Sequence, residues 1–168
     1  MEAHRVHITP RCPGTDGCDY INATFFPGFN HLKEFIITQH PVTDTIHDFW
    51  QMVWDHNSTT IVMLSNILDE KDFPQFWPET ESEDDYGSFK VKLIQESTMY
   101  QDAGGYITTR DFIIQSTQDD YELTCKLIHC PSWPESCGPL SAVFDLIKIV
   151  QDWTLDQSSV GPVIVVDR

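Results

Sequence analysis

The sequence predicts one α/β or α+β domain built on a twisted, mixed sheet. Three observations carry this prediction. They are an amphipathic helix pattern over residues 43–57, two short apolar runs typical of strands buried on both faces, and a set of alternating strands between those runs. A chain of 168 residues, 40% of them hydrophobic, is long enough to bury one core. We therefore expect a single domain over residues 1–168.

The chain begins with short strands. Runs rich in β-branched and aromatic residues, separated by turn residues such as Pro27-Gly28, predict the first three of them. They are His4–Ile8, Tyr20–Phe26 and Glu34–Thr38.

The clearest helix is predicted over Thr43–Asn57. Apolar residues recur there at helical spacing and form one wide stripe. They are Ile46, Phe49, Trp50, Val53 and Trp54. Thr45, with Asp48 three residues later, suggests the start of the helix, and Asn57 suggests its end.

The middle of the chain reads as β-structure. Ile61–Leu64 is a compact apolar run typical of a buried strand, and residues 69–85 read as a polar loop. Three antiparallel strands then follow: Phe89–Ile94, Tyr106–Gln115 and Tyr121–Cys130. The last of them alternates, which predicts one buried face made of Tyr121, Leu123, Cys125 and Leu127.

A second helix and a last strand complete the pattern. The helix is predicted over Pro139–Trp153, with proline in its first turn. Its apolar stripe consists of Leu140, Val143, Phe144, Ile147 and Val150. Val163–Val166 follows Gly-Pro and reads as another buried strand.

The charge disfavours several classes of partner. The chain carries 26 acidic residues against 10 Lys and Arg, a net charge of −16. Nucleic acid and anionic lipid need basic surface, and a phosphoryl substrate would need a local basic pocket. No apolar run is long enough to span a bilayer, so the segment is expected to be soluble. The acidic run at residues 79–85 is either a solvated loop or a docking surface for a basic partner.

The five cysteines fit no disulfide framework. An alternative role for three of the cysteines is a zinc site made by Cys125, His129, Cys130 and Cys137. The sequence contains no Cys-x-x-Cys pair, however, which is the usual spacing of such ligands. The other interpretation of His129 is a packed strand residue. No metal and no cofactor are expected.

Six motifs, in one order along the chain, resemble those of protein-tyrosine phosphatases. They are Asp19-Tyr20-Ile21-Asn22-Ala23, Thr38-Gln39-His40-Pro41, Asp48-Phe49-Trp50-Gln51-Met52-Val53-Trp54, Ile61-Val62-Met63-Leu64, Gln75-Phe76-Trp77-Pro78 and Ser132-Trp133-Pro134-Glu135. The resemblance implies the family fold, a highly twisted mixed sheet flanked by helices. It also implies that the chain is an incomplete domain that ends at the family's nucleophile position.

The departures from the family pattern decide the expected activity. The family's nucleophile strand ends in Val-His-Cys, and an Arg follows the Cys six positions later. Here Val166 and Asp167 take the places of the His and the Cys. Glu135 stands at the general-acid position after Trp133 and Pro134, where the family has Asp. The resemblance therefore implies a pseudophosphatase with no competent catalytic residue, because a carboxylate repels a phosphate dianion.

An Asp at the nucleophile position is similar to the second, membrane-distal domain of receptor-type phosphatases of the gamma and zeta subgroup. This likeness implies a regulatory or protein-binding role on the cytoplasmic side of a single-pass receptor. The implied partner is a protein, such as the active phosphatase domain of the same receptor. The alternatives are part of an active phosphatase and a fragment without independent function. Because the family packs further helices on the sheet, the face around residues 163–166 is expected to be exposed and the fragment to be marginally stable or prone to aggregation.

Overall fold

A computed structural model describes residues 4–10, 19–29, 31–65, 73–79, 82–101, 105–118, 120–131, 133, 140–157 and 161–167. Within these residues one sheet of nine strands is flanked by two helices. The strands are β1 (Arg5–His7), β2 (Tyr20–Phe26), β3 (Phe35–Gln39), β4 (Thr60–Met63), β5 (Glu83–Asp85), β6 (Phe89–Tyr100), β7 (Tyr106–Ser116), β8 (Glu122–His129) and β9 (Val163–Asp167). The helices are α1 (Ile46–Asp55) and α2 (Leu140–Leu155).

The sheet is mixed, as predicted. Its strand order is β1-β2-β3-β9-β4-β8-β7-β6-β5. The four central strands, β3, β9, β4 and β8, are mutually parallel, whereas the strands on both sides of them pair antiparallel. The last strand in sequence, β9, therefore lies in the middle of the sheet.

Helix α1 covers one face of the sheet with the apolar stripe that the sequence predicts. Phe49, Trp50 and Val53 are buried in a cluster that also contains Ile61 and Ile164 from the central strands. The three residues Thr43–Thr45 form a 3-10 turn ahead of the helix. Thr45 directly precedes α1 as expected, but its side chain makes no capping bond to the helix.

The helix was predicted to end at Asn57, but α1 ends at Asp55, and Asn57 follows two residues later with a φ of 51°. Asparagine tolerates this left-handed conformation better than most residues do. Its carbonyl oxygen then accepts a hydrogen bond from the Gly161 amide at 3.1 Å. A Cβ on Gly161 would lie 2.2 Å from the His56 carbonyl oxygen, so only glycine allows the chain to enter β9 along this path.

Three predictions in the middle of the chain were wrong. The loop predicted over residues 69–85 contains the acidic strand β5, and β6 continues to Tyr100 instead of ending at Ile94. The extra residues of β6 are mostly polar and exposed, so no hydrophobic alternation marks them. Their backbone is held by six of the eleven register pairs that join β6 to β7, and the register shifts at a bulge between Leu93 and Gln95, just before these six pairs. Tyr121, predicted to be buried, precedes β8 and is 51% exposed.

The buried face of α2 also differs from the prediction. Phe144 and Ile147 were assigned to the buried stripe, but they are 69% and 44% exposed. Leu146 is buried instead, and Ile149 and Val150 pack with it against a second apolar cluster. The helix carries apolar residues over a wide arc, so periodicity alone does not determine which part of the arc meets the sheet. The side chain of Leu140 lies outside the described residues.

Strand β9 is a buried strand, as the apolar run over Val163–Val166 predicts. Val163, Ile164 and Val166 are buried, because β9 pairs with β3 on one side and β4 on the other. Val165 alone is half-buried. It lines an open groove between α2 and the sheet.

Candidate functional site

The candidate site lies where the four parallel strands end, at a shared edge formed by Gln39, Asp167, Met63 and His129 (the carboxyl edge). Ligands of parallel sheets bind outside this edge. The backbone stays tightly paired there: the His40 amide donates to the Asp167 carbonyl at 2.7 Å, and the Leu64 amide donates to the Val166 carbonyl at 3.0 Å. Asp167 is thus held on rigid backbone, with its exposed side chain at the end of a central strand.

Only part of the predicted site lies within the described residues. Asp167 ends β9, and Trp133 follows β8, where its amide donates to the Cys130 carbonyl at 3.2 Å. The half-buried indole of Trp133 packs against the apolar cluster beneath α2. Pro134 and Glu135 lie outside the described residues.

A small cavity of about 110 Å³ lies beside the carboxyl edge. Its lining includes Asn22, Thr38, Gln39 and Asp48. The Asn22 side-chain amide donates to the Gln39 side-chain oxygen at 2.7 Å, so these two polar groups satisfy one another. No Lys or Arg is among the described residues that line the cavity. A phosphate dianion here would meet a carboxylate without a compensating cation.

Two buried histidines flank the edge, and the sequence interpretation gave neither a role in building it. His40 is 2% exposed, and its Nε2–H donates to the Pro74 carbonyl at 2.8 Å. His129 is buried, and its Nε2–H donates to the Ser65 carbonyl at 2.9 Å. The two imidazoles therefore fix the chain on either side of residues 66–72. Neither role leaves a signal in the sequence, because both depend on contacts between distant segments.

Burial lowers the pKa of both imidazoles. For His40 desolvation outweighs the hydrogen bond to Pro74, which by itself would raise the pKa. For His129 desolvation is again the main cause, and the Arg110 charge lowers the pKa further. Both side chains are consequently neutral in the folded protein at pH 7. Because each donates through Nε2, each keeps the tautomer that leaves Nδ1 without a proton.

This arrangement predicts a loss of stability in weak acid. An unfolded histidine takes up a proton below pH 6.5, whereas these two folded histidines do so only at lower pH. The unfolded state then binds more protons, so the free energy of unfolding falls as the pH falls from 6.5. The slope is at most about 1.4 kcal/mol per pH unit for each histidine. Urea unfolding between pH 7.5 and pH 5 measures it.

The test variants are His40→Gln and His129→Gln, each of which removes one of the two buried imidazoles. Each variant should show a smaller slope of the free energy of unfolding against pH than the wild type does. Equal slopes for the wild type and His40→Gln would show that His40 does not contribute.

The two described cysteines are unsuited to nucleophilic chemistry. Cys125 and Cys130 are buried, and desolvation raises the pKa of both thiols. Nor do Cys125, His129 and Cys130 form a zinc site, because no cluster of three metal-ligating side chains occurs among the described residues. Cys137, the fourth member of that alternative, lies outside them.

Comparison with known proteins identifies the family. The protein-tyrosine phosphatase family model matches residues 1–168. The chain is 48% identical to tyrosine-protein phosphatase 99A of Drosophila melanogaster over its whole length, which is 12% of that protein. It is 40% identical over 155 residues to receptor-type tyrosine-protein phosphatase zeta of Rattus norvegicus, covering 91% of this chain and 7% of that protein. It is also 44% identical over all 168 residues to a putative receptor-type phosphatase, mosPTP-1, of Culex quinquefasciatus.

The chain therefore belongs to the protein-tyrosine phosphatase family, as its motifs predicted, and these relatives include receptor-type members. It spans about an eighth or less of their length. Neither of the two described helices has the length and apolarity to cross a membrane.

Proposed function

We propose that this chain is a catalytically inactive phosphatase-like domain that acts through contacts with other proteins. One observation carries the proposal. Asp167, a carboxylate, occupies the end of central strand β9, where the family resemblance places the nucleophilic thiolate. The negative charge of a carboxylate repels a phosphate dianion, so it raises the electrostatic energy of the dianion throughout its approach.

No other residue of the chain restores the nucleophile. None of the five cysteines is followed by Arg at the sixth position, the spacing that the family's phosphate loop needs. Cys125 and Cys130 are buried and hold their protons more tightly than a free cysteine does. The general-acid position holds Glu135, whose extra methylene would shift the proton donor. Three departures thus disfavour the same reaction.

The proposed role is that of a second, membrane-distal domain on the cytoplasmic side of a receptor. The names of the rat and mosquito relatives support a receptor context, and the Asp at the nucleophile position supports the second domain of such a pair. In this role the domain regulates an active phosphatase domain or recruits another protein. The competing function is phosphotyrosine hydrolysis. Membership of the family favours this function, whereas the carboxylate of Asp167 at the nucleophile position disfavours it.

Hydrolysis of an aryl phosphate tests the proposal. We expect no phenol release above the buffer rate from the wild-type chain, whereas a working enzyme accelerates its reaction by about 10⁶-fold or more. Asp167→Cys alone should remain inactive, because no cation among the described residues lining the adjacent cavity would stabilise a thiolate or a bound phosphate. Adding Glu135→Asp should not change this result.

An active tyrosine phosphatase domain serves as the positive control in the same buffer. Enzyme-dependent turnover by the unmodified chain would refute the pseudophosphatase proposal. Turnover by Asp167→Cys alone would show that the remaining residues can support the chemistry.

A further inference from the structure

The outer edge of β6 has no neighbouring strand among the described residues from Leu93 to Tyr100, which is more than half of its length. Strand β5 pairs with β6 only at residues 90–92, so among the described residues no strand covers β6 beyond that point. Such an edge is a template for pairing with another chain. Natural edges are commonly protected by lysine or proline, and residues 93–100 contain neither. The bulge in β6 lies at the beginning of the open segment and leaves the rest of it regular.

The hydrogen-bond phase identifies the backbone groups that face outwards. The Gln101 amide donates to the Gly105 carbonyl at 3.1 Å, and Tyr100 is the register partner of Tyr106. Antiparallel partners alternate between bonded and non-bonded pairs. Counting back from Gln101, the residues that turn their N–H and C=O groups away from β7 are Tyr100, Thr98 and Glu96. Three residues at this spacing can pair with an extended segment of about five residues.

The side chains along the open edge add apolar contact area. Tyr100 is 80% exposed, and its ring centroid lies 6.3 Å from that of the partly exposed Tyr106. Ile94 and Met99 are exposed as well. The edge thus offers backbone pairing and an aromatic contact at the tip of one hairpin.

A polar cleft of about 420 Å³ lies at the other end of the open segment. The Arg110 guanidinium stacks on Trp77, 4.6 Å from the ring centroid, and its Nε donates to the Glu96 carboxylate at 2.6 Å. Glu79 also lines the cleft, so among the described lining residues two carboxylates face one cation, Arg110.

We propose that the outer edge of β6, from Glu96 to Tyr100, binds an extended, basic segment of a partner protein by strand addition. The inference rests on the proposed non-catalytic function and assigns it a surface. The cleft carboxylates and the chain charge of −16 favour a basic segment. The same charge disfavours pairing with a second copy, because two strongly acidic chains repel each other.

The probe is a capped hexapeptide of alternating lysine and valine, added to the full 168-residue chain. We expect protection from hydrogen exchange at the Glu96, Thr98 and Tyr100 amides, and binding that weakens as salt rises. A capped peptide of alternating glutamate and valine should bind at least about tenfold more weakly.

The matched variants are Thr98→Pro and Thr98→Ala. Proline removes an outward N–H without taking a bond from β7, so it should weaken peptide binding at least about tenfold, whereas alanine should change it less than about twofold. If the proline variant does not fold, the test is the hydrogen exchange of the Glu96, Thr98 and Tyr100 amides in the wild-type chain.

Unprotected amides, or affinity indifferent to salt, would overturn the proposal. Protection that grows with protein concentration in the absence of peptide would assign the edge to a second copy instead. Phenol release is measured separately, so an inactive chain that binds no peptide refutes only the strand-addition inference. Phenol release by a chain that does bind peptide refutes only the inactive-enzyme proposal.

Discussion

Replacing Trp50 with alanine should lower the free energy of unfolding by about 4–8 kcal/mol, the largest loss expected from any single substitution proposed for this chain. The side chain is 0% exposed and lies between α1 and the sheet, 5.5 Å from the Phe112 ring between centroids. Its Nε1–H donates to the Phe76 carbonyl at 2.7 Å, which ties residues 75–78 to the core. Removing a buried aromatic side chain costs about 3–5 kcal/mol, and the unpaired carbonyl adds about 1–3 kcal/mol. Domains are typically stable by only about 5–15 kcal/mol.

Urea unfolding monitored by circular dichroism measures this loss, and two variants separate its causes. Trp50→Phe keeps most of the apolar volume and loses the N–H, so it should cost about 1–3 kcal/mol. Leu155→Ala removes an apolar residue that is 82% exposed and should change stability by less than about 0.5 kcal/mol. A Trp50→Ala midpoint equal to that of the wild type would refute the assigned core.

The sequence predicted the elements that have a strong hydrophobic period. Helix α1, the parallel strand β4 and the alternation of Leu123, Cys125 and Leu127 in β8 were all found close to the predicted positions. In each of these elements, the apolar residues that are buried are also the ones whose spacing along the sequence predicts a helix or a strand. The mixed sheet followed from the combination of buried runs and alternating strands.

The remaining elements depend on tertiary contacts. The second half of β6 is polar, and only its pairing with β7 makes it a strand. In α2 the choice between Phe144 and Leu146 is made by the sheet and not by the helix. The central place of β9 follows from strand order, which periodicity does not encode.

The site was predicted from motif order more than from physics. Asp167 could be assigned because the residues before it resemble the family's nucleophile strand, and the structure puts it at the end of a central strand. The buried pair His40 and His129 could not be predicted, because their partners Pro74 and Ser65 are 34 and 64 residues away in sequence.

The chain should form no covalent phosphoryl intermediate. Family chemistry passes through a phosphorylated nucleophile, and such an intermediate can accumulate when its formation is faster than its hydrolysis. Asp167 could in principle accept a phosphoryl group, as carboxylates do in some ATPases. Here its charge opposes the approach of the dianion, and the described lining of the neighbouring cavity offers no cation in compensation. We therefore expect no labelling at Asp167 or at any cysteine.

Rapid mixing with excess aryl phosphate, acid quenching and intact mass spectrometry test this claim most directly. An active tyrosine phosphatase domain that retains its general acid, mixed in the same way and quenched before the steady state, provides the positive control. At every quench time the wild-type chain should keep its unmodified mass. A mass increase of one phosphoryl group, mapped by fragmentation to Asp167 or to a cysteine, would contradict the account.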